Sequence, residues 1–281
     1  LSEVVQASSF VNHPYHYEVI GDLADLRTIT RDDLYQHYCR YYVPNNAIVT
    51  LAGDFHAGKM LKRVEELYGK IPPGEPPPHP VSAVPSPNGE KREIIEGHGD
   101  TTYMIIAYRA PQGSSQDFFT FSVLDSLLTG PSSLNMFGGA GISNKTSRLY
   151  RSLVEREIAT GMNGGLQATI DPFLYEITVT VNPRKKPADV LRVIDNEILR
   201  LQEHEVSEEE IHRAVKQAKA LFAYGSENIT NQAFWLGYAE MFASYDWFLN
   251  FVESLQETTP EKIQKVAQEY LLPERRVIGI Y

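Results

Sequence analysis

Three features of the 281-residue sequence predict an α+β fold with an antiparallel or mixed sheet, organised as two related units. Strand-like and helix-like stretches come in separate runs rather than in strict alternation. Between 173 and 182, Phe173, Tyr175, Ile177, Val179 and Val181 alternate with Glu176, Thr178 and Thr180. Such period-2 patterning marks a strand with one buried face. Thirdly, a capped helix, a proline stop and an apolar strand are written twice. Thr30, Leu34, Tyr41, Pro44 and Ile48 recur as Thr259, Ile263, Tyr270, Pro273 and Val277, each pair 229 residues apart. A repeat of domain-sized period signals duplication rather than a solenoid. A first unit of that size, closing near residue 50, would lie mostly before Leu1. The expectation is therefore the tail of one domain followed by a nearly whole second one.

In chain order, residues 1 to about 20 start helix-like through Val4, Val5 and Ala7, then run into His13-Pro-Tyr-His16. Thr30 with Asp33 three residues on is a capping-box pattern, and the helix behind it carries Leu34, Tyr38 and Tyr41. Pro44-Asn-Asn46 stops it, and Ala47 to Ala52 reads as a buried strand closing the first unit's sheet. A further helix, Gly58 to Tyr68, ends at Gly69. The stretch from Ile71 to Pro80, extended by Pro85 and Pro87, is too rich in proline to pack as a regular element and predicts an extended linker. The boundaries are thus 1–70 for the remnant, 71–90 for the linker and 91–281 for the second unit.

The second unit opens with strands at about 91–97 and 101–109. Ser114 with Asp117 predicts the cap of a helix through Phe118, Phe121 and Leu124, ended by Gly130-Pro131. A glycine-rich loop, Phe137-Gly-Gly-Ala-Gly141, leads into a helix expected from about Lys145 to Ala159 and closed by Gly161. Strands follow at 162–170 and 173–182. Pro187 starts a helix through Ile194 and Leu201, and Ser207 with Glu210 caps another that ends at Gly225. Helical segments at about 229–243 and 247–255 precede the repeated signature.

Composition narrows the function classes. With 26 basic against 36 acidic residues the net charge is −10, which disfavours nucleic acid or an anionic membrane surface as partner. No apolar run approaches the roughly 18 residues of a membrane helix. A lone cysteine, Cys39, excludes an internal disulfide and fits a reducing compartment, the cytoplasm or an organellar matrix.

No complete catalytic set is visible. Gly139-Ala-Gly-Ile-Ser-Asn-Lys145-Thr146 comes nearest to a phosphate-binding loop. It has Asn144 where close approach to phosphate requires glycine, and no strand before it. His13 and His16, with Glu18 nearby, are zinc-ligand types at short spacing but have no supporting third ligand, so a loop histidine pair is expected. Neither His-Glu-x-x-His nor the inverted His-x-x-Glu-His occurs.

The order of segments nonetheless resembles a known family. His13-Pro-Tyr15, Ile20-Gly21, Tyr41-Tyr42-Val-Pro-Asn-Asn46 and a segment ending Ala52-Gly53-Asp54 are similar to the closing part of the first domain of M16 metallopeptidases. These are the pitrilysin, insulinase and mitochondrial processing peptidase relatives. Tyr103 to Pro111, and Ser147-Arg-Leu-Tyr150 with Leu153-Val154-Glu155, resemble parts of that family's second domain. The resemblance implies homologous α+β domains, two halves closing around a peptide chamber, and zinc held by an inverted motif upstream of this sequence. It implies zinc in a full-length parent and none in this chain, a peptide substrate, and a second half or partner subunit. Gly138, Gly139, Gly141, Arg148 and Tyr150 become candidates for lining the chamber. The family's substrate-contacting arginine and tyrosine fall on Val154 and Gly161, so neither role carries over, and a second half or partner is expected to supply them. The resemblance allows either the chamber portion of a zinc peptidase or a non-catalytic core subunit.

Overall fold

In a computed structural model, residues 1–78, 89–134 and 143–281 are described. Their core is one five-stranded mixed sheet in the order β1-β5-β2-β4-β3. The strands are β1 (Lys91–Ile94), β2 (Tyr103–Arg109), β3 (Ala159–Leu166), β4 (Leu174–Val181) and β5 (Arg276–Ile280). β1 runs parallel to β5, and the other pairs are antiparallel.

The alternation of apolar side chains decides which face is covered by what. Ile106 and Tyr108 of β2, Ile177 and Val179 of β4, and Ile278 of β5 enter the main core. Against them pack α5 (Gln116–Leu128), α6 (Pro187–Glu203), α7 (Glu208–Gly225), α10 (Phe251–Gln256) and α11 (Pro260–Tyr270). Every residue of α5 from Phe118 to Leu128 is buried, as expected of a helix apolar on all sides and surrounded by other elements. Helices α8 (Ile229–Phe242) and α9 (Tyr245–Leu249) complete this layer.

The other sheet face is covered in part by α1 (Ser2–Ser9) and the turn after it. Val5 and Phe10 are buried with Ile105, Ala107, Leu174 and Val277. Phe10 stacks on Phe173 with ring centroids 5.5 Å apart, and the Arg109 guanidinium lies 3.9 Å over the Phe10 ring. The first sixteen residues, expected within a 1–70 remnant, thus pack on this sheet.

Helices α2 (Leu23–Thr28), α3 (Arg31–Tyr41) and α4 (Ala57–Tyr68) follow, and none of the three buries a residue. The capping box at Thr30 and Asp33 is present, as is the one at Ser207 and Glu210.

Four expectations are corrected. Ser115, not Ser114, caps α5, its Oγ accepting the Asp117 N–H at 3.2 Å. The helix expected over 145–159 is reduced to a short helical stretch with a wide turn at Tyr150–Val154. Glu157 takes a left-handed φ of 55°, and the chain leaves that turn directly into β3. Pairing of Ala159 with Val181 wins over the helix preference of the charged residues before it. Gly161 accordingly sits inside a strand instead of closing a helix. Ala47 to Ala52 is not a strand: the chain is extended at Ala47 and pairs with no strand among the described residues. Extended backbone becomes a strand only through a neighbouring ladder.

Candidate functional site

The sequence places its chamber candidates around the glycine-rich stretch after α5, and the structure describes the residues on either side of it. Gly130, at φ +121°, turns the chain out of α5. A Cβ there would come 2.5 Å from that of Asn144, so the two feet of the stretch touch. On one foot the Ser132 hydroxyl donates to the Gly164 carbonyl at 3.0 Å; on the other, Asn144 Nδ2 donates to the Met162 carbonyl at 3.0 Å. Both acceptors belong to β3, an outermost strand of the sheet. An open edge recruits other strands, and these two side chains cap the middle of this one. Gly138, Gly139 and Gly141 lie outside the described residues.

Beneath the feet sits a buried polar cluster. Asp125 of α5 accepts hydrogen bonds from the Tyr175 and Thr129 hydroxyls, both at 2.5 Å. Burial, with the Asp125 charge beside it, raises the Tyr175 phenol well above its usual range, so it stays protonated and donates. Gly164 crosses directly over this cluster. A Cβ there would lie 2.1 Å from Thr129 Oγ1, which explains glycine in a strand that otherwise disfavours it.

Arg148 and Tyr150 stand just beyond the second foot. Arg148 Nη2 reaches both Glu210 carboxylate oxygens, at 3.0 and 3.2 Å. Burial alone would raise the Glu210 carboxyl; the Ser207 N–H and Arg148 outweigh it and hold it below the usual range. Arg148 therefore anchors the residues after the stretch to the start of α7. Tyr150 is half-buried against the main core. Val154 packs on the same core, whereas a Cβ on Gly161 would meet open space.

The sheet face that α1 leaves uncovered forms one of several surface clefts among the described residues. Gly161 and Asn163 of β3 meet Thr178 and Thr180 of β4 there. With Leu1, Tyr103 and Ile105 they line a cavity of about 440 Å³. Its threonines and asparagine offer uncharged donors and acceptors, and Gly161 leaves the backbone accessible. Farther along β4, burial raises the half-buried Glu176 carboxyl, with Glu18 adding to the effect. Such a face can hold an extended segment by apolar contact, with a few polar groups to orient it. It brings together no nucleophile and base.

The histidine pair is accounted for by packing. His13 is buried, with Nδ1 accepting from the Tyr15 N–H at 3.1 Å and Nε2 3.4 Å from Asp171 Oδ2. His16 Nδ1 lies 2.9 Å from the Phe10 carbonyl and so carries the proton. The two rings serve separate contacts. Among the described residues no group of three or more His, Cys, Asp or Glu is placed to hold a metal, so these residues do not fit the zinc centre of a metallopeptidase. No described helix is long and apolar enough to cross a membrane.

The sequence reading singled out Arg148 and Tyr150 but missed the bonds of Ser132 and Asn144 to β3. The signal in the sequence is limited to short hydrogen-bonding side chains flanking a glycine run.

Comparison with known proteins agrees with this architecture. A family model described as the Peptidase M16 inactive domain matches residues 28–218. An uncharacterized zinc protease of Mycobacterium leprae is 23% identical over 275 residues, covering 96% of this chain and 59% of that protein. The zinc protease PqqE of Helicobacter pylori is 23% identical over 230 residues, covering 80% and 49%. The beta subunit of the mitochondrial-processing peptidase of Saccharomyces cerevisiae is 20% identical over 219 residues, covering 75% and 46%. Among solved structures, a protease from Helicobacter pylori matches with a TM-score of 0.86 at 20% identity, over 97% of this chain and 64% of that one. A chain of complex III from Candida albicans matches at 0.77 and 15% identity, over 99% and 65%. This chain spans roughly half to three-fifths of the length of these curated relatives. The chain belongs to the M16 peptidase family, a family with catalytic and non-catalytic members, and matches it through the part described as the inactive domain.

Proposed function

We propose that this chain is the substrate-chamber portion of an M16-type zinc metalloendopeptidase whose zinc-binding motif lies outside residues 1–281. The observation that carries this reading is the open, largely apolar sheet face in which Asn163, Thr178 and Thr180 supply a few uncharged polar groups beside Gly161. It suits a peptide backbone and holds no reactive group, so the chain's own residues would bind and orient substrate while hydrolysis takes place elsewhere. The zinc proteases among its relatives support the parent activity. On this reading residues 1–70 close a first, catalytic-type unit, 71–90 link, and 91–281 form the chamber unit. A second M16 half or partner subunit faces it, and a reducing compartment, the cytoplasm or an organellar matrix, suits the free Cys39.

A second reading, a non-catalytic core subunit, follows from the family's having non-catalytic members; the arginine and tyrosine that the resemblance places at Val154 and Gly161 would then have no counterpart in a partner. Reading the parent reading frame and assaying the whole protein on unstructured peptides separates the two. Zinc-dependent cleavage together with an upstream His-x-x-Glu-His supports the first. Absence of both supports the second.

A further inference from the structure

Two arginines stand at the end of the sheet where β2 leaves and β5 enters. Among the described residues neither is paired with a carboxylate. Tyr108 of β2 pairs with Arg276 of β5, so the next step of that antiparallel register sets Arg109 opposite Arg275. Like charges directly opposite each other across a strand pair are destabilising. Arg109 is the more enclosed of the two. Its Nη2 donates to the Ser9 carbonyl at 2.8 Å and its guanidinium lies over the Phe10 ring. Nε and Nη1 are buried and have no hydrogen-bond partner. Burial, with no anion to oppose it, pulls the Arg109 pKa down to about 10. Arg276 shows the usual remedy. Burial works against its charge too, but Asp195 and Tyr108 outweigh it and hold the group above its ordinary range. A cation taken out of water without a counter-charge is costly, and Arg109 is left in that state.

Both arginines line one cleft of about 430 Å³. Ser115, the cap of α5, lines it as well, so the positive end of that helix adds to the field. Two acids lie nearby. Asp117, in the first turn of α5, is engaged by the Tyr270 hydroxyl at 2.9 Å. Glu269, near the end of α11, lines the cleft and is exposed. We propose that this cleft binds a carboxylate, that of a small organic acid or of a peptide carboxyl terminus. The anion takes its charge partner from Arg109 and a direct hydrogen bond from the exposed Arg275. Ala110, Pro111 and Pro172 receive its apolar body. Two lining cations against one lining carboxylate suit a single negative charge, which favours a monocarboxylate over a phosphate dianion. The site stands whether or not the parent protein cleaves peptides.

Isothermal titration of the whole protein tests this with two pairs of probes. One pair is butyrate and its uncharged isostere butyramide; the other is a short unstructured peptide as free acid and as carboxyl-terminal amide. The charged member of at least one pair should bind about tenfold or more tighter than its neutral partner, the scale of one charge-assisted hydrogen bond. Arg275→Ala should remove about that factor, and Glu269→Gln should raise affinity severalfold by deleting a like charge. Both side chains are exposed, so these variants keep the fold. Arg109→Met should abolish binding; if circular dichroism shows that it unfolds, the two exposed positions carry the test. Tighter binding of the free-acid peptide than of butyrate makes the ligand a peptide terminus, and the reverse makes it a small acid. No preference for the charged form in either pair would overturn the proposal. So would an affinity that neither Arg275→Ala nor Glu269→Gln moves, the result expected if Arg109 only fastens α1 to the sheet.

Discussion

Arg276, in the central strand β5, is buried and ion-paired to Glu90, with Nη2 at 2.7 Å from its carboxylate. Asp195 of α6 takes the opposite side of the same guanidinium, and Nη1 donates to the Tyr108 hydroxyl at 3.1 Å. One cation thus joins β5, β2, α6 and the residue before β1, at the point where the proline-rich stretch ends. Arg276→Met should cost about 1–3 kcal/mol, because it removes charge-assisted hydrogen bonds from two partly exposed carboxylates and the partner of a buried tyrosine hydroxyl. Urea unfolding monitored by circular dichroism measures it. A loss below about 1 kcal/mol would mean that the cluster contributes little.

The same contacts set an acid limit. Burial works against the charged form of Glu90, but Arg276 and Arg92 prevail and hold its carboxyl below the usual range; Glu210 is also depressed. A carboxyl with a folded pKa below its unfolded value stabilises above the unfolded value, near 4.3, and loses that contribution as pH falls through the folded one. The urea midpoint should hold between pH 6 and 7 and drop below about pH 4.5. Arg276→Met should flatten that drop, and an unchanged acid slope in the variant would refute the assignment.

Arg148→Ala should cost about 1.5 kcal/mol, the scale of a hydrogen bond to a charged group. Glu210→Gln should cost less on top of it than in the parent, because the two share one contact. Additive losses in this double-mutant cycle would show that the pair is not coupled.

Gly164→Ala forces a methyl group into Thr129 and Asp125, and overpacking of this kind costs about 1–3 kcal/mol. Gly161→Ala, with open space beside it, should change stability by less than about 1 kcal/mol. Equal effects at the two positions would contradict the placement of β3.

Much of this was legible in the residues. Thr30, Ser207 and Pro187 announced helix starts because capping is local chemistry, and the alternation through β4 announced both its strand and its buried face. The failures lie where distant groups decide. Ala47–Ala52 carries strand composition, yet no neighbour pairs with it among the described residues. The run before Ala159 has helix formers, but β4 captures the chain. Arg276 begins β5, and only the convergence of Glu90 and Asp195, 186 and 81 residues away in sequence, makes it internal. At the candidate site, Arg148 could be named from sequence, but its commitment to Glu210 could not.

Photo-crosslinking tests the central claim most directly. An unstructured peptide carrying a photoreactive residue is irradiated with the whole protein, and labelled segments are mapped by mass spectrometry. If residues 91–281 supply the peptide-holding face, labels fall on 159–166 and 174–181, and Thr178→Arg reduces them at least severalfold. Labels confined to other segments, or unaffected by Thr178→Arg, would contradict the account.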